Sequence, residues 1–300
     1  MKRVITAVVL IALVLWALFK APLWVPWLLS MAVALLAQEE YLSILEQYQL
    51  EPSKWILRFF SFMAFASAVI GRTSLIEQKR MDSWTGIVLF FAIYTMLCGI
   101  ALLIAALQKT DFKKSFLSAA ATFFSTQYIV LPMLWLVTML DFKDGQFWVF
   151  FTLLIVWSGD ICGLYVGKQF GKKPLAPRIS PQKTWEGTYA SVAGSMAAGT
   201  IWFVVCYRQI VPVQPPLFEH IFNILGMVDT NDFLKRLVAI MFYSAIVNIF
   251  SQFGDLAESM LKRGVDMKDS GTILPGHGGM LDRIDALLFA IPVAYLIRIF

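Results

Sequence analysis

Polar residues are sparse along this chain and they cluster. Between the clusters run apolar stretches of membrane-spanning length. A helix that crosses a bilayer core needs roughly 20 mostly apolar residues, with about 17–25 tolerated. By that measure the sequence predicts about nine spans, near residues 4–18, 23–37, 55–70, 85–107, 116–140, 147–166, 191–206, 237–253 and 286–300. Pro22 and Pro26 lie at the junction of the first two, which read as a helical hairpin or as one broken helix. The predicted fold class is all-α, a polytopic helical bundle in a membrane with a polar cavity facing the cytoplasm.

Composition sharpens this picture. The chain is 59% hydrophobic and 15% charged, with a mean hydropathy of +0.70. A soluble domain is roughly 45–50% apolar and about 25% charged. The excess rules out a soluble core of this length. The net charge of +5 then reflects cytoplasmic loops facing anionic lipid and phosphate ligands, not nucleic acid. Cys98, Cys162 and Cys206 lie within or at the ends of apolar runs, and an odd count does not make a disulfide framework. The run after Met1-Lys2-Arg3 lacks a small-residue cleavage site and reads as an uncleaved first helix.

Lys and Arg set the expected orientation. They place the N-terminus and residues 108–115, 167–188 and 254–285 on the cytoplasmic side. Two stretches depart from that pattern. Residues 71–84 hold Arg72, Lys79 and Arg80 on the outer side, and residues 38–54 are mainly acidic on the inner side. The chain divides near residue 145. Residues 1–145 are spans with little chemistry, and residues 146–300 carry every motif.

The densest motif is residues 255–285, where Asp255, Glu258, Asp266, Asp269, Asp282 and Asp285 alternate with Lys262, Arg263, Lys268, His277 and Arg283. Charges at a membrane border are expensive unless paired, hydrated or used. Carboxylates hold hard divalent cations and basic side chains grip phosphate oxygens. If the helix from Leu237 continues past the border, Asp255, Ser259, Lys262 and Arg263 share one face. Glu258 reads more plainly as half of a solvated i, i+4 pair with Lys262. Asp282 and Asp285 suit helix capping taken alone. Taken with Asp255 on a facing helix, they make a divalent-metal site, and oxygen-only ligands favour Mg²⁺ over zinc. Pro275-Gly276-His277-Gly278-Gly279 reads as an anion-binding nest or as a flexible turn. Asp160 sits inside an apolar run, which marks it as functional. The Gly/Lys/Ser/Pro-rich loop after it, including Ser180, Lys183, Thr184 and Glu186, would wrap phosphates or a nucleobase, or lie against anionic lipid.

These residues resemble a known family. Ser259-x-x-Lys262-Arg263-x4-Lys268-Asp269-x-Gly271-x2-Leu274-Pro275-x-His277-Gly278-Gly279-x2-Asp282-Arg283-x-Asp285 is similar to the signature of phosphatidate cytidylyltransferases, also called CDP-diacylglycerol synthases. Ser180-Pro181-x-Lys183-Thr184-x-Glu186-Gly187 resembles that family's SPKKTxEG element, with Gln182 in place of the usual Lys. Asp160 and Gly167 match a third pattern, in which Tyr165 falls one position late and Ile161 replaces a hydroxyl residue. The resemblance covers roughly residues 146–300. It implies an enzyme that makes CDP-diacylglycerol and pyrophosphate from CTP and phosphatidic acid. It also implies a Mg²⁺ ion with a K⁺ beside it, a homodimer, and a bacterial inner membrane location with the site open to cytoplasm and inner leaflet. In this scheme Asp255 and Asp282 hold the metal, while Ser259, Lys262, Arg263, His277, Arg283 and Asp285 act on the reacting groups. Asp160, Ser180, Lys183, Thr184, Glu186, Lys268, Asp269, Gly278 and Gly279 bind substrate. The rival expectations are a cytidylyltransferase for another lipid phosphate, a transporter, or a non-catalytic scaffold. Charges gathered at one membrane face, with no inverted repeat, weigh against the transporter.

Overall fold

A computed structural model describes residues 2–78, 83–207, 221, 233–273 and 278–299. The chain runs α1 (Lys2–Phe19), α2 (Trp24–Gln47), α3 (Lys54–Gln78), α4 (Ser83–Leu107), α5 (Phe112–Ser125) and α6 (Leu131–Thr138). Then follow α7 (Gly145–Phe170), a hairpin of β1 (Pro174–Ala176) and β2 (Ser180–Thr184), α8 (Trp185–Tyr207), α9 (Phe233–Arg263) and α10 (Leu281–Ile299). Each predicted apolar run falls on a helix. Among the described residues, six helical stretches are long and apolar enough to cross a membrane. The protein is an integral membrane helical bundle, and the small antiparallel hairpin is its one departure from all-α among the described residues.

Local chemistry explains the breaks. The chain leaves α1 ahead of Pro22, with the Lys20 and Ala21 amides donating to Trp16 O at 2.9 and 3.0 Å. Pro26 sits in the first turn of α2, where a missing N–H costs nothing. Asp111 caps α5, accepting from the Lys114 amide at 3.0 Å. A π-turn (Thr126–Val130) joins α5 to α6 just before Pro132, whose ring would crowd the Tyr128 carbonyl in a regular helix.

Two helices outrun the apolar pattern. The second span, expected to end at Ala37, continues through Gln47. Several of its polar residues are paired within the bundle. Gln38 is 1% exposed and accepts from Ser61 Oγ at 2.8 Å. Glu39 receives two bonds from Arg58, at 2.6 and 2.8 Å. Likewise α3 runs on to Gln78, so residues 71–78, expected in a loop, are helical. Lys79 and Arg80 lie outside the described residues.

The acidic character of residues 38–54 also finds its reason. Glu51 accepts from Lys109 Nζ at 3.1 Å and from Lys114 Nζ at 2.7 Å, so this segment is the counter-charge of the basic turn before α5. Tyr48 Oη donates to Leu261 O at 2.8 Å, and Arg263 Nε to Ile179 O at 3.2 Å. The charged segments therefore gather at one end of the bundle. Behind them lies an aromatic core. Trp148 is fully buried, stands against Phe151 and Tyr243, and donates from Nε1 to Ala294 O at 3.2 Å.

Candidate active site

The site forms where α7, α9 and α10 meet at the charged end of the bundle. α9 is one helix of 31 residues, so the polar stripe expected past the membrane border exists. Gly254 sets the crossing: a Cβ there would run into the Asp285 carbonyl oxygen. Only a residue without a side chain lets α10 lie this close at Asp285. Asp255, the next residue, is thereby brought beside Asp285, and both interact electrostatically with Asp160 of α7. Lys183, from β2, pairs with Asp255 Oδ2 at 2.5 Å. Ser259 Oγ reaches Asp255 Oδ1 at 3.4 Å. Arg283 is exposed on α10 within electrostatic reach of Asp160.

A second, deeper group continues the stripe. Lys262 Nζ lies 2.5 Å from Glu258 Oε2 and 2.5 Å from Asp282 Oδ1. Glu258 is fully buried, which overturns its reading as a solvated helix end. Asp282 sits inside the first turn of α10, not at its cap. Its Oδ2 accepts from the Ser270 amide at 2.9 Å and the Gly279 amide at 2.8 Å. Interactions thus run from Asp255 to Asp285, from Asp285 to Lys262, and from Lys262 to Asp282.

The hairpin delivers Lys183 to Asp255. Glu186 Oε2 accepts from the Lys172 amide at 3.0 Å and the Lys173 amide at 3.3 Å, closing the hairpin base. Thr184 Oγ1 accepts from the Gly187 amide at 3.2 Å and caps α8. Ser180 opens β2, opposite Ala176. Arg263 turns away from the acids and holds the hairpin turn through Ile179 O and the following loop through Met267 O, at 3.2 and 3.0 Å. Lys268 and Asp269 are exposed on that loop. Gly278 has φ +79, a conformation that favours glycine. His277 lies outside the described residues.

Residues that sequence reasoning passed over also reach this region. Asn248 Nδ2 donates to Ser191 Oγ at 2.9 Å, and Gln252 Nε2 to Asn248 Oδ1 at 2.7 Å, a polar seam between α8 and α9. Beside it an open apolar trough of about 600 Å³ runs between the same helices, lined by Trp185, Tyr189, Val192, Phe253 and Leu256 among others. The trough lies next to the carboxylates, not on them, and meets them where Leu256 follows Asp255. Glu40 enters from α2. Its one sequence signal was an acid pair inside an otherwise apolar helix.

Among the described residues, no group of three or more His, Cys, Asp or Glu is placed to hold a metal ion. The donor chemistry nevertheless suits a hard cation. Asp160, Asp255 and Asp285 offer only carboxylate oxygens, and their mutual repulsion is what a bound divalent ion relieves.

The sequence pattern of the Cytidylyltransferase family matches residues 1–300. A phosphatidate cytidylyltransferase of Staphylococcus saprophyticus is 30% identical over 297 residues, 99% of this chain and 98% of its own. The chain belongs to the cytidylyltransferase family. A phosphatidate cytidylyltransferase of Staphylococcus aureus is 29% identical over the same coverage. A phosphatidate cytidylyltransferase of Bacillus subtilis is 37% identical over 151 residues, covering 50% of this chain and 47% of that one. For this cytidylyltransferase-family chain the similarity extends through residues 1–145 as well, beyond the residues 146–300 that carry the motifs.

Proposed function

We propose that this protein transfers the cytidylyl group of CTP to phosphatidic acid, giving CDP-diacylglycerol and pyrophosphate. The observation that carries the reading is the convergence of Asp160, Asp255 and Asp285 with Lys183 beside an apolar trough. An oxygen of the lipid phosphate attacks the α-phosphorus of CTP. A new P–O bond forms, the bond to the bridging oxygen breaks, and pyrophosphate leaves with that electron pair. The attacking phosphate has a second pKa of about 6, so it is already largely dianionic at neutral pH and needs no strong base. Catalysis then rests on alignment and charge neutralisation.

Asp255 is the anchor of the proposed Mg²⁺ site, with Asp285 and Asp160 as the neighbouring carboxylates, Asp282 as a ligand only if Lys262 gives up its Oδ1, and K⁺ as a companion ion. When bound, the divalent ion supplies charge neutralisation at phosphate oxygens. Lys183, Lys262 and Arg283 meet the remaining phosphate charge, while Gly278 and Gly279 shape the turn whose Gly279 amide Asp282 already holds. Arg263 holds the hairpin against α9, and Thr184 and Glu186 tie it to the start of α8, so that Lys183 stays in place on the strand that Ser180 opens. Lys268 and Asp269 stand at the entrance. The trough between α8 and α9 gives the acyl chains an apolar path beside Asp255, and keeping them out of water saves about 0.8 kcal/mol per CH₂. The charged end faces the cytoplasm of a bacterial inner membrane, and the protein works as a homodimer.

The test is direct. Purified protein in lipid nanodiscs receives labelled CTP, Mg²⁺ and phosphatidic acid. A labelled lipid and one pyrophosphate per turnover are expected, and the absence of both refutes the reading. Parallel reactions with dCTP and with other lipid phosphates rank the substrates. Cross-linking in the same nanodiscs tests the dimer.

A further inference from the structure

We propose that Glu40, in the N-terminal half of the chain, is a positioning residue for the cytidylyltransferase site, which it serves by fixing the turn that carries Asp282. The proposal rests on the function inferred above. Glu40 is 6% exposed and its carboxylate receives three hydrogen bonds from residues some 230–241 positions away. Oε1 accepts from the Met280 amide at 2.8 Å. Oε2 accepts from the Leu281 amide and from Ser270 Oγ, both at 2.8 Å.

Two of these donors are amides at the start of α10, which the helix itself leaves unpaired. A carboxylate there also suits the helix dipole. Packing is tight around it: a Cβ on Gly279 would overlap Ser270 Oγ and Glu40 Oε2, and one on Gly271 would lie 2.5 Å from Glu40 Oε1.

A buried acid at a helix start would serve stability alone if its contacts ended there. These do not. Ser270 gives its hydroxyl to Glu40 and its amide to Asp282. Of three consecutive amides, Gly279 goes to Asp282 while Met280 and Leu281 go to Glu40. The two carboxylates grip one turn from opposite sides, and Asp282 in turn holds Lys262. If Glu40 lets go, the turn is free to shift, and with it both the acid and the lysine. Residues 1–145 therefore contribute directly to the chemistry assigned to residues 146–300.

Glu40→Gln, Ser270→Ala and the double variant test this in nanodiscs. Kinetics, thermal midpoint and backbone hydrogen exchange at Met280 and Leu281 are read together. Loss of an outer-shell partner lowers activity by about 10–100-fold. Glu40→Gln should lower kcat by that factor, with KM for CTP and lipid within about twofold, and speed exchange at both amides. Ser270→Ala should give a smaller fall, and the double variant should be no worse than Glu40→Gln. An unchanged kcat in Glu40→Gln, unchanged amide exchange, or strictly additive losses would overturn the proposal. If Glu40→Gln does not fold, Ser270→Ala decides: a lower kcat at an unchanged midpoint supports the proposal and an unchanged kcat overturns it. A wild-type protein that yields no labelled lipid defeats the functional reading instead, and amide exchange alone then judges the grip of Glu40.

Discussion

Replacing Lys262 with Met removes a cation that touches both Glu258 and Asp282. The lysine side chain is 10% exposed, Glu258 0% and Asp282 6%, with both N–O distances at 2.5 Å. Removing one partner of a buried ion pair costs about 3–5 kcal/mol, because the remaining charge stays buried without compensation. The two acids are not left equally badly off. Asp282 keeps the amides of Ser270 and Gly279. Neither oxygen of Glu258 has a well-aligned hydrogen bond even with the lysine present. Most of the loss should therefore come from Glu258, which must either stay charged without a partner or take up a proton. At 1.4 kcal/mol per power of ten, the folded-to-unfolded ratio should drop by roughly two to four powers of ten. The assay is thermal unfolding in one fixed detergent and lipid mixture. Lys262→Met should melt well below wild type, and Glu258→Gln/Lys262→Met should recover about half the loss or more, since the worst-placed charge is gone. A single variant that melts like wild type, or a double variant no more stable than the single, would refute the reasoning.

Asp255→Asn should reduce turnover by at least about a hundredfold without lowering the thermal midpoint, because relief of repulsion from Asp160 and Asp285 offsets the lost Lys183 pair. Steady-state kinetics and melting on one preparation check both halves. Gly254→Ala should cost about 1–3 kcal/mol by forcing α9 away from the Asp285 carbonyl, and activity should fall with it. A stable, fully active Gly254→Ala protein would show that the close crossing is dispensable. Glu51 lies outside the spans, and its hydrogen bonds from Lys114 and then Lys109 hold its carboxyl below the usual range. Its contribution is thus present above the unfolded carboxylate pKa and lost as pH falls through the lowered folded value. The midpoint difference between wild type and Glu51→Gln should vanish on acidification, and a difference that persists at pH 2 would contradict the pairing.

What the sequence discloses here is whatever repeats along it or sits close within it. Nine apolar runs predicted helices, and the spacing of Asp255, Ser259 and Lys262 predicted a shared face once one long helix was granted. The failures have a common physical origin. An apolar-run criterion stops at the first polar pair, so it ended α2 at Ala37, although residues 38–47 are mostly good helix formers. The basic loop after α7 became a hairpin because Glu186 supplies acceptors for the Lys172 and Lys173 amides, a contact across 13 and 14 residues that no local pattern announces.

Glu258 and Glu40 show the same limit at longer range. Whether a carboxylate on a helix is solvated or buried depends on what packs against it, and their partners come from elsewhere in the chain. Glu258 reads as a surface pair until α10 covers it with Asp282. Glu40 falls in a stretch that reads as an acidic segment on the inner side until a turn 230 residues later closes on it. The motif-bearing half supplies the groups that would meet substrate, but the position of Asp282 is fixed jointly by Lys262 from α9 and by the turn that Glu40 grips from α2. A division of this chain at residue 145 therefore separates where the motifs lie, not where the site is built.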